Sequence, residues 1–442
     1  MASSVKAGPE TAPNGRLVLE RLRELPGGPQ LIELAAERDD VELIGGAVRD
    51  LLLDARATPR ELDVVVGRDV NGFAQDLARE LKTLAGQDPE GRHELHLHDR
   101  FRTATVIAST GERIDVAQRR SESYAKPGAL PDTHPGTAEE DLARRDFTVN
   151  AIAVPLGGEA RGELRYAEGA LDDLAAGSLR VLRPDSFKLD PTRLMRIARY
   201  RARLGFAIEP HTAQLAAEAI EQGTLETVSP ARVGAELRLT LAEPDPVAAL
   251  ESLEQLGVLS ALHEAIELDA PLARAALGEL PPDGRADVLL LASLLRPGHS
   301  FDSTDYQTRL RTLLDGWEFP GAEREHTVRS AILAPRIAER LRHAHAPSQI
   351  YEVAHGEPLE AVALAGGIAA VAGREEAAGA ARRWLAELRE VGLRITGDDL
   401  LRAGVARGPD VGRHLRRALM RKLDGEIAGE TADAELRAAL EP

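Results

Sequence analysis

Apolar positions along the chain change character near residue 155. Before that point, stretches of helical period alternate with short β-branched runs. The pattern predicts a helix over 17–37, a strand at "VELIG" (41–45), and a Gly45–Gly46 turn opening a helix over 47–54. "ELDVVV" (61–66) reads as a strand, 70–85 as an amphipathic helix, and "HELHLHD", "TATVIAS" and "ERIDVA" as three further strands. Roughly five strands suffice for one mixed sheet with helices on a face. The polar, proline-rich segment 119–143 reads as a mobile loop. After Pro155 a short hairpin-like stretch leads into almost uninterrupted helix. The fold class predicted is therefore α+β, with breaks near 155, 230 and 375.

At 442 residues the chain fits about three domains. It holds no run of 18 apolar residues, and its start, "MASSVKAGPETAPNG", lacks a signal-peptide core, so a cytoplasmic protein with a loose tail over 1–16 is expected, with no membrane contact. Without cysteine, any metal must be held by Asp, Glu, His or backbone oxygen, which points to Mg²⁺ or to a His-rich site. A net charge of −17 argues against indiscriminate nucleic-acid binding, yet 377–423 holds eleven Lys or Arg against five Asp or Glu. A second basic cluster runs from Arg193 to Arg203. With aromatics at 3%, base stacking offers little, so an RNA partner would be held by shape and phosphate contacts.

Several groupings could carry chemistry. Gly45–Gly46 present bare backbone at a helix N-terminus, which suits a phosphate that Arg49 could also reach, although such glycine pairs are common without a ligand. Glu61 and Asp63 stand at i and i+2 of a strand, so both carboxylates leave one face. Adjacent acids repel unless a cation sits between them; the plainer reading, solvated trim, fits poorly with the "VVV" that follows. Asp115 is a third acid inside an apolar strand, and three such carboxylates are the minimum for a two-metal site; a strand-end acid is the alternative. In "RRDFTVNAIAV", Arg145, Asp146 and Asn150 flank an apolar stretch, and Asp146 and Asn150 could bond a ribose hydroxyl; a helix N-terminus with a capping Asp is the alternative. Asp190–Pro191 is a helix start, after which Arg193, Arg196, Arg199 and Arg203 share an arc of about 120°. A solvated basic face is the usual explanation, but four arginines without an interleaved acid favour an anionic partner. His93, His96 and His98, like His343 and His345, lack a placed third ligand and read as polar surface rather than zinc.

Together these motifs resemble the class II tRNA nucleotidyltransferase and poly(A) polymerase family. "GGAVRDLLL" with "ELDVVV" is similar to its double-glycine and two-acid motif, "RRDFTVNAIAV" to its ribose motif, and "LDPTRLMRIARYRARLGF" to its nucleotide-reading helix. Segments 229–259 and 395–419 resemble its later helical parts. The resemblance implies a nucleotidyltransferase head over 17–155, a base-reading neck over 156–230, a body over 231–375 and a tRNA-binding tail over 376–442. It implies CCA addition to the tRNA 3′ end from CTP and ATP with Mg²⁺; no protein partner is evident. Glu61 and Asp63 would hold metal, and Asp115 would help activate the RNA 3′-hydroxyl. Gly46 and Arg49 would lie at the triphosphate, Arg145 at the nucleotide, and Asp146 and Asn150 at the ribose. Asp190 and Arg193 would read the base edge, assisted by Arg196 and Arg199, and Arg413, Arg416 and Arg417 would hold tRNA.

Cytosine and adenine each offer an amine donor beside a ring-nitrogen acceptor, so one carboxylate–guanidinium pair can match both and reject uracil and guanine. Two positions depart from the family pattern. Glu61 stands where Asp is usual, and Leu189 where an acid usually braces the base-reading arginine. The body lacks the His-Asp dipeptide of a phosphohydrolase. The alternatives are an A-adding or CC-adding enzyme, a poly(A) polymerase, and a catalytically silent RNA-binding module. "RRSESYAKPGALP" resembles the A-adding and CCA-adding members, which disfavours CC-only addition.

Overall fold

Pro26, Gly27 and Gly28 interrupt the periodicity of 17–37, and the single helix expected there is two: α1 (Gly15–Glu24) and α2 (Gly28–Ala35). Gly27 turns the chain between them at a φ of 76°. Asn14 caps α1 by accepting from the Arg16 N–H, so helix begins within the span expected as a loose tail. The structure, a computed structural model, describes residues 14–54, 56–84, 94–98, 102–108, 111–297, 303–427, 429 and 431–441. The expected tail up to residue 13, and His93 of the histidine run, lie outside the described residues. Contacts divide the chain into two units, Met1–Val228 and Ser229–Pro442.

In the first unit β1 (Val41–Ile44), α3 (Gly46–Leu53), β2 (Leu62–Val66), α4 (Val70–Leu84), β3 (Glu94–His98), β4 (Thr103–Ile107) and β5 (Arg113–Gln118) follow the predicted order. Two strands beyond these join them, β8 (Ile152–Pro155) and β9 (Arg165–Tyr166), numbered after the hairpin β6 (Arg120–Ser123) and β7 (Asp132–Pro135). The sheet therefore has seven strands rather than about five, in the order β3-β4-β5-β2-β1-β8-β9. β8 is fully buried, and its short apolar run carries no alternation that would mark it as a strand. β2 and β5 pair in parallel, whereas every other neighbouring pair in the sheet is antiparallel. α4 buries Phe73, Ala74 and Leu77 and lies against β4 and β5. Each large apolar side chain so buried contributes roughly 1.5–3 kcal/mol.

The segment 119–143 is not a mobile loop. β6 and β7 form an antiparallel hairpin, and α5 (Ala138–Ala143) follows it. Thr137 Oγ1 accepts from the Glu140 N–H while Glu140 Oε2 accepts from the Thr137 N–H, the reciprocal box that Thr-x-x-Glu encodes. Arg144 then ties hairpin to helix, donating to Glu122 Oε1 at 3.0 Å and to Asp141 Oδ1 at 2.8 Å.

The unit continues with α6 (Ala170–Ala176), β10 (Ser178–Leu179), α7 (Ser186–Leu189), α8 (Thr192–Leu204), β11 (Ala207–Ile208) and α9 (Pro210–Glu221). β10 and β11 pair in parallel, a small interruption of the helix expected here. Regular elements described in the second unit are helices, α10 (Pro230–Leu241) through α22 (Ala432–Leu440). Its core is α18 (Leu359–Val371), buried from Glu360 to Gly367. α18 lies against α13 (Ala270–Glu279), α16 (Gly321–Leu341) and α19 (Glu375–Ala386). Gly367 permits the approach, since a Cβ there would stand 2.9 Å from Ala276. Among the described residues no helix is long and apolar enough to cross a membrane.

Candidate active site

Strand register builds the acidic centre. Asp63 on β2 lies directly opposite Asp115 on β5, and Thr105 on β4 lies opposite Asp115 on its other side. Glu61, one residue ahead of β2, shares the face of Asp63. One carboxylate oxygen from each of Glu61, Asp63 and Asp115 lies within 4.8 Å of the other two. Thr105 Oγ1 donates to Asp115 Oδ1 at 2.5 Å. Burial pushes the Asp63 carboxyl up to about 6; Arg145 opposes that rise, and Glu61 and Asp115 reinforce it. Three oxygen donors that repel one another are a donor set for a hard divalent cation. Beside them opens a cleft of about 400 Å³, lined by Asp63, Asp115, Thr105, Arg113, Arg144 and Arg145.

Gly45 carries β1 into α3 at φ 76° and ψ −134°. A Cβ there would stand 2.8 Å from Arg145 Nη1 and 3.7 Å from Asp63 Oδ2, so the missing side chain makes room for a guanidinium beside the acid. Arg145 donates to Asp141 Oδ2 at 3.2 Å, and its buried Nε has no hydrogen-bond partner among the described residues. Gly46 is half-buried, and a Cβ on it would lie 3.4 Å from Arg49 Nη2.

Buried Arg49, Asp146 and Asn150 form one network with half-buried Arg196. Arg49 is 1% exposed and donates to Asn150 Oδ1 at 2.5 Å and to Asp50 Oδ1 at 2.8 Å. Asn150 Nδ2 donates to Asp146 Oδ1 at 3.0 Å, and Arg196 donates to Asp146 Oδ2 through Nε at 2.9 Å and Nη2 at 2.7 Å. Burial by itself would raise the Asp146 carboxyl, yet Arg196 beside it holds it well below the usual range. The "TVN" of the ribose motif is a single 3₁₀ turn rather than a helix start.

This network corrects the reading of the arginine helix. Arg193 and Arg199 are buried, and Asp146 supplies to Arg196 the acid that α8 itself lacks, so the face is not a bare run of repelling charge. Tyr200, not singled out in the sequence, gathers it: the guanidinium carbons of Arg49, Arg196 and Arg203 lie 5.5, 5.7 and 5.7 Å from its ring centroid. Phe147 meets the same ring edge-on at 5.8 Å. The i to i+4 spacing of Arg196 and Tyr200 was the available signal.

Ser186 is a second residue that sequence reasoning missed. It accepts from Arg193 Nη1 at 2.5 Å, while the Arg144 carbonyl accepts from Arg193 Nη2 at 2.8 Å. These two groups orient Arg193 where Leu189 supplies no acid. The Leu189 carbonyl instead accepts from the Gly128 N–H at 3.1 Å, joining the β6–β7 turn to the end of α7. Asp190 Oδ1 accepts from the Thr192 hydroxyl at 2.6 Å and its N–H at 3.2 Å.

Arg413, Arg416 and Arg417 lie on α21 (Pro409–Leu423) in the second unit, paired with Asp410, Glu352 and the Glu441 carbonyl respectively. His96 pairs with Glu94 at 3.0 Å, and His98 borders the acidic cleft. His343 and His345 stand 3.9 Å from Glu339 and Glu376 respectively.

Comparison with known proteins bears on both units. Residues 41–180 match the family model described as the poly(A) polymerase head domain, and 205–268 the probable RNA and SrmB-binding site of polymerase A. The chain is 32% identical over 435 residues to an A-adding tRNA nucleotidyltransferase of Geobacter sulfurreducens, covering 94% of this chain and 47% of that one. It thus spans about half the length of that curated relative. Thermotoga maritima CCA-adding enzyme, solved in complex with tRNA, superposes with a TM-score of 0.72 at 27% identity, covering 96% of this chain and 98% of the other. Complexes of a CCA-adding enzyme with ATP and with CTP give TM-scores of 0.73 and 0.72, each at 27% identity. They cover 96% and 97% of this chain, and 98% of the other in both.

Proposed function

Since the chain belongs to the class II tRNA nucleotidyltransferase and poly(A) polymerase family, we propose that it adds C and A to the tRNA 3′ end without a template, from CTP and ATP. The observation that carries this reading is the group of three carboxylates facing Arg145 in the matched head. Glu61 and Asp63 would hold Mg²⁺, which when bound polarises phosphate oxygen and lowers the pKa of a hydroxyl. Asp115, steadied by Thr105, would orient the RNA 3′-hydroxyl and draw on its proton. That oxygen bonds to the α-phosphorus as the bond to the bridging β-phosphate oxygen breaks, and pyrophosphate leaves. The N-terminal end of α3 and Arg145 would set positive potential at the triphosphate. Asp190 and Arg193 would match the amine and ring nitrogen of cytosine or adenine, with Ser186 and the Arg144 carbonyl fixing the guanidinium. Residues 156–230 would serve base recognition and 376–442, including Arg413, Arg416 and Arg417, tRNA binding.

A second reading, addition of the terminal A alone, is favoured by the A-adding relative matched over 94% of this chain. One assay separates the two. Transcripts ending before CCA, after C and after CC are each incubated with labelled CTP or ATP, and product lengths are read. Full CCA addition extends all three; A-only addition extends only the last; long A-tails would mark a poly(A) polymerase. No incorporation on any substrate would refute the enzyme. Asp63→Ala should abolish whichever activity is found, and retained turnover would exclude it as a metal ligand.

A further inference from the structure

Arg113 stands outside every role assigned above. It lies on β5 two residues before Asp115, so both side chains leave the same face of the sheet. Its Nε is 2.9 Å from Asp115 Oδ2 and 3.8 Å from Glu61 Oε2, bridging two of the three carboxylates. Both oxygens of Asp115 are therefore engaged, Oδ1 by Thr105 and Oδ2 by Arg113. A cation joining Asp115 to Asp63 and Glu61 needs at least one of those oxygens. A guanidinium and a divalent ion sharing that space would repel. Of the two bonds the one to Arg113 gives way more readily, because its side chain is 52% exposed. Room for the departing group lies alongside: Arg113 also borders a neighbouring hollow of about 300 Å³ lined by Thr58, Pro59 and Glu112.

We infer that Arg113 is a built-in counter-ion, holding the acids together in the metal-free protein and swinging toward the neighbouring hollow when a divalent cation binds. Metal affinity is then set by competition between the ion and a residue of the protein itself. The inference rests on the proposed metal site of Glu61 and Asp63, with Asp115 as the third carboxylate of the same donor set.

Mn²⁺ is the probe, its free concentration followed by electron paramagnetic resonance against full-length protein without nucleotide or RNA. Arg113→Gln, and Arg113→Met as a second neutral variant, should bind Mn²⁺ more tightly by about fivefold, the size set by one exposed ion pair. In EDTA both should melt below wild type, and with saturating Mn²⁺ the gap should close. Arg113→Lys, which keeps the charge, should return affinity to near the wild-type value. Unchanged or weaker Mn²⁺ binding in the neutral variants, with binding still lost in Asp63→Ala, overturns the counter-ion role and leaves the metal site standing. Undiminished Mn²⁺ binding by Asp63→Ala overturns the metal reading and the inference with it.

Discussion

At the scale of single residues, Asp63 and Arg193 invite direct tests. The Asp63 carboxyl lies at about 6 in the folded protein against 3.8 for an unperturbed side chain, so folding favours its protonated form. Stability from this group is complete below about pH 4 and is lost as pH rises through 6. In EDTA, Asp63→Asn should therefore exceed wild type by about 2 kcal/mol at pH 8 and match it near pH 4, read from urea unfolding. An equal difference at both pH values would contradict the shift. Ser186→Ala removes one of two braces on Arg193 and should cost roughly tenfold in discrimination of CTP and ATP against UTP and GTP, with smaller loss of turnover. Unchanged selectivity would mean that the Arg144 carbonyl suffices. Asp146→Ala strips Arg196 of its buried partner and should destabilise the first unit by about 3 kcal/mol.

At the scale of elements, the β1–α3 turn is the position most exposed to a small change. Gly45→Ala demands a backbone conformation foreign to L residues and drives a methyl into Arg145. It should cost about 1–3 kcal/mol in thermal unfolding and reduce nucleotide incorporation more than that loss of fold explains. Legibility of the chain divides at the same scale. β2, β5 and α8 were readable because β-branched runs and a 3.6-residue period mark them. Seeing Glu61 and Asp63 on one face needed only strand alternation. β8 was missed because four apolar residues fit no period, and the break between α1 and α2 was missed although Pro26–Gly27–Gly28 marked it. The β6–β7 hairpin is hidden by prolines that suggest loop, and the Thr-x-x-Glu of the Thr137–Glu140 box just beyond it is a signal that the loop reading passed over. The partners of α8 could not be read at all: Asp146 reaches Arg196 across fifty residues of chain, and no local spacing encodes that pairing.

At the scale of the whole molecule, the proposed function requires a chain of net charge −17 to attract tRNA through local basic patches. Binding to tRNA is expected to weaken steeply with salt. Replacing Arg413, Arg416 and Arg417 together by Gln should lower the slope of log affinity against log salt by up to about 2. Because each of these arginines already has a partner on its own unit, a smaller change would mean that Asp410 and Glu352 keep hold of theirs. The parallel pairing of β2 with β5 has a kinetic side as well. It brings together segments more than fifty residues apart, and a slip of one residue between them would leave Asp63 and Asp115 on opposite faces of the sheet. Long-range parallel pairing waits on loop closure, so the helices should regain their circular dichroism before the site regains Mn²⁺. In a refolding time course the acids then act as a clock for the sheet: a chain can look fully helical while its chemistry has yet to be assembled.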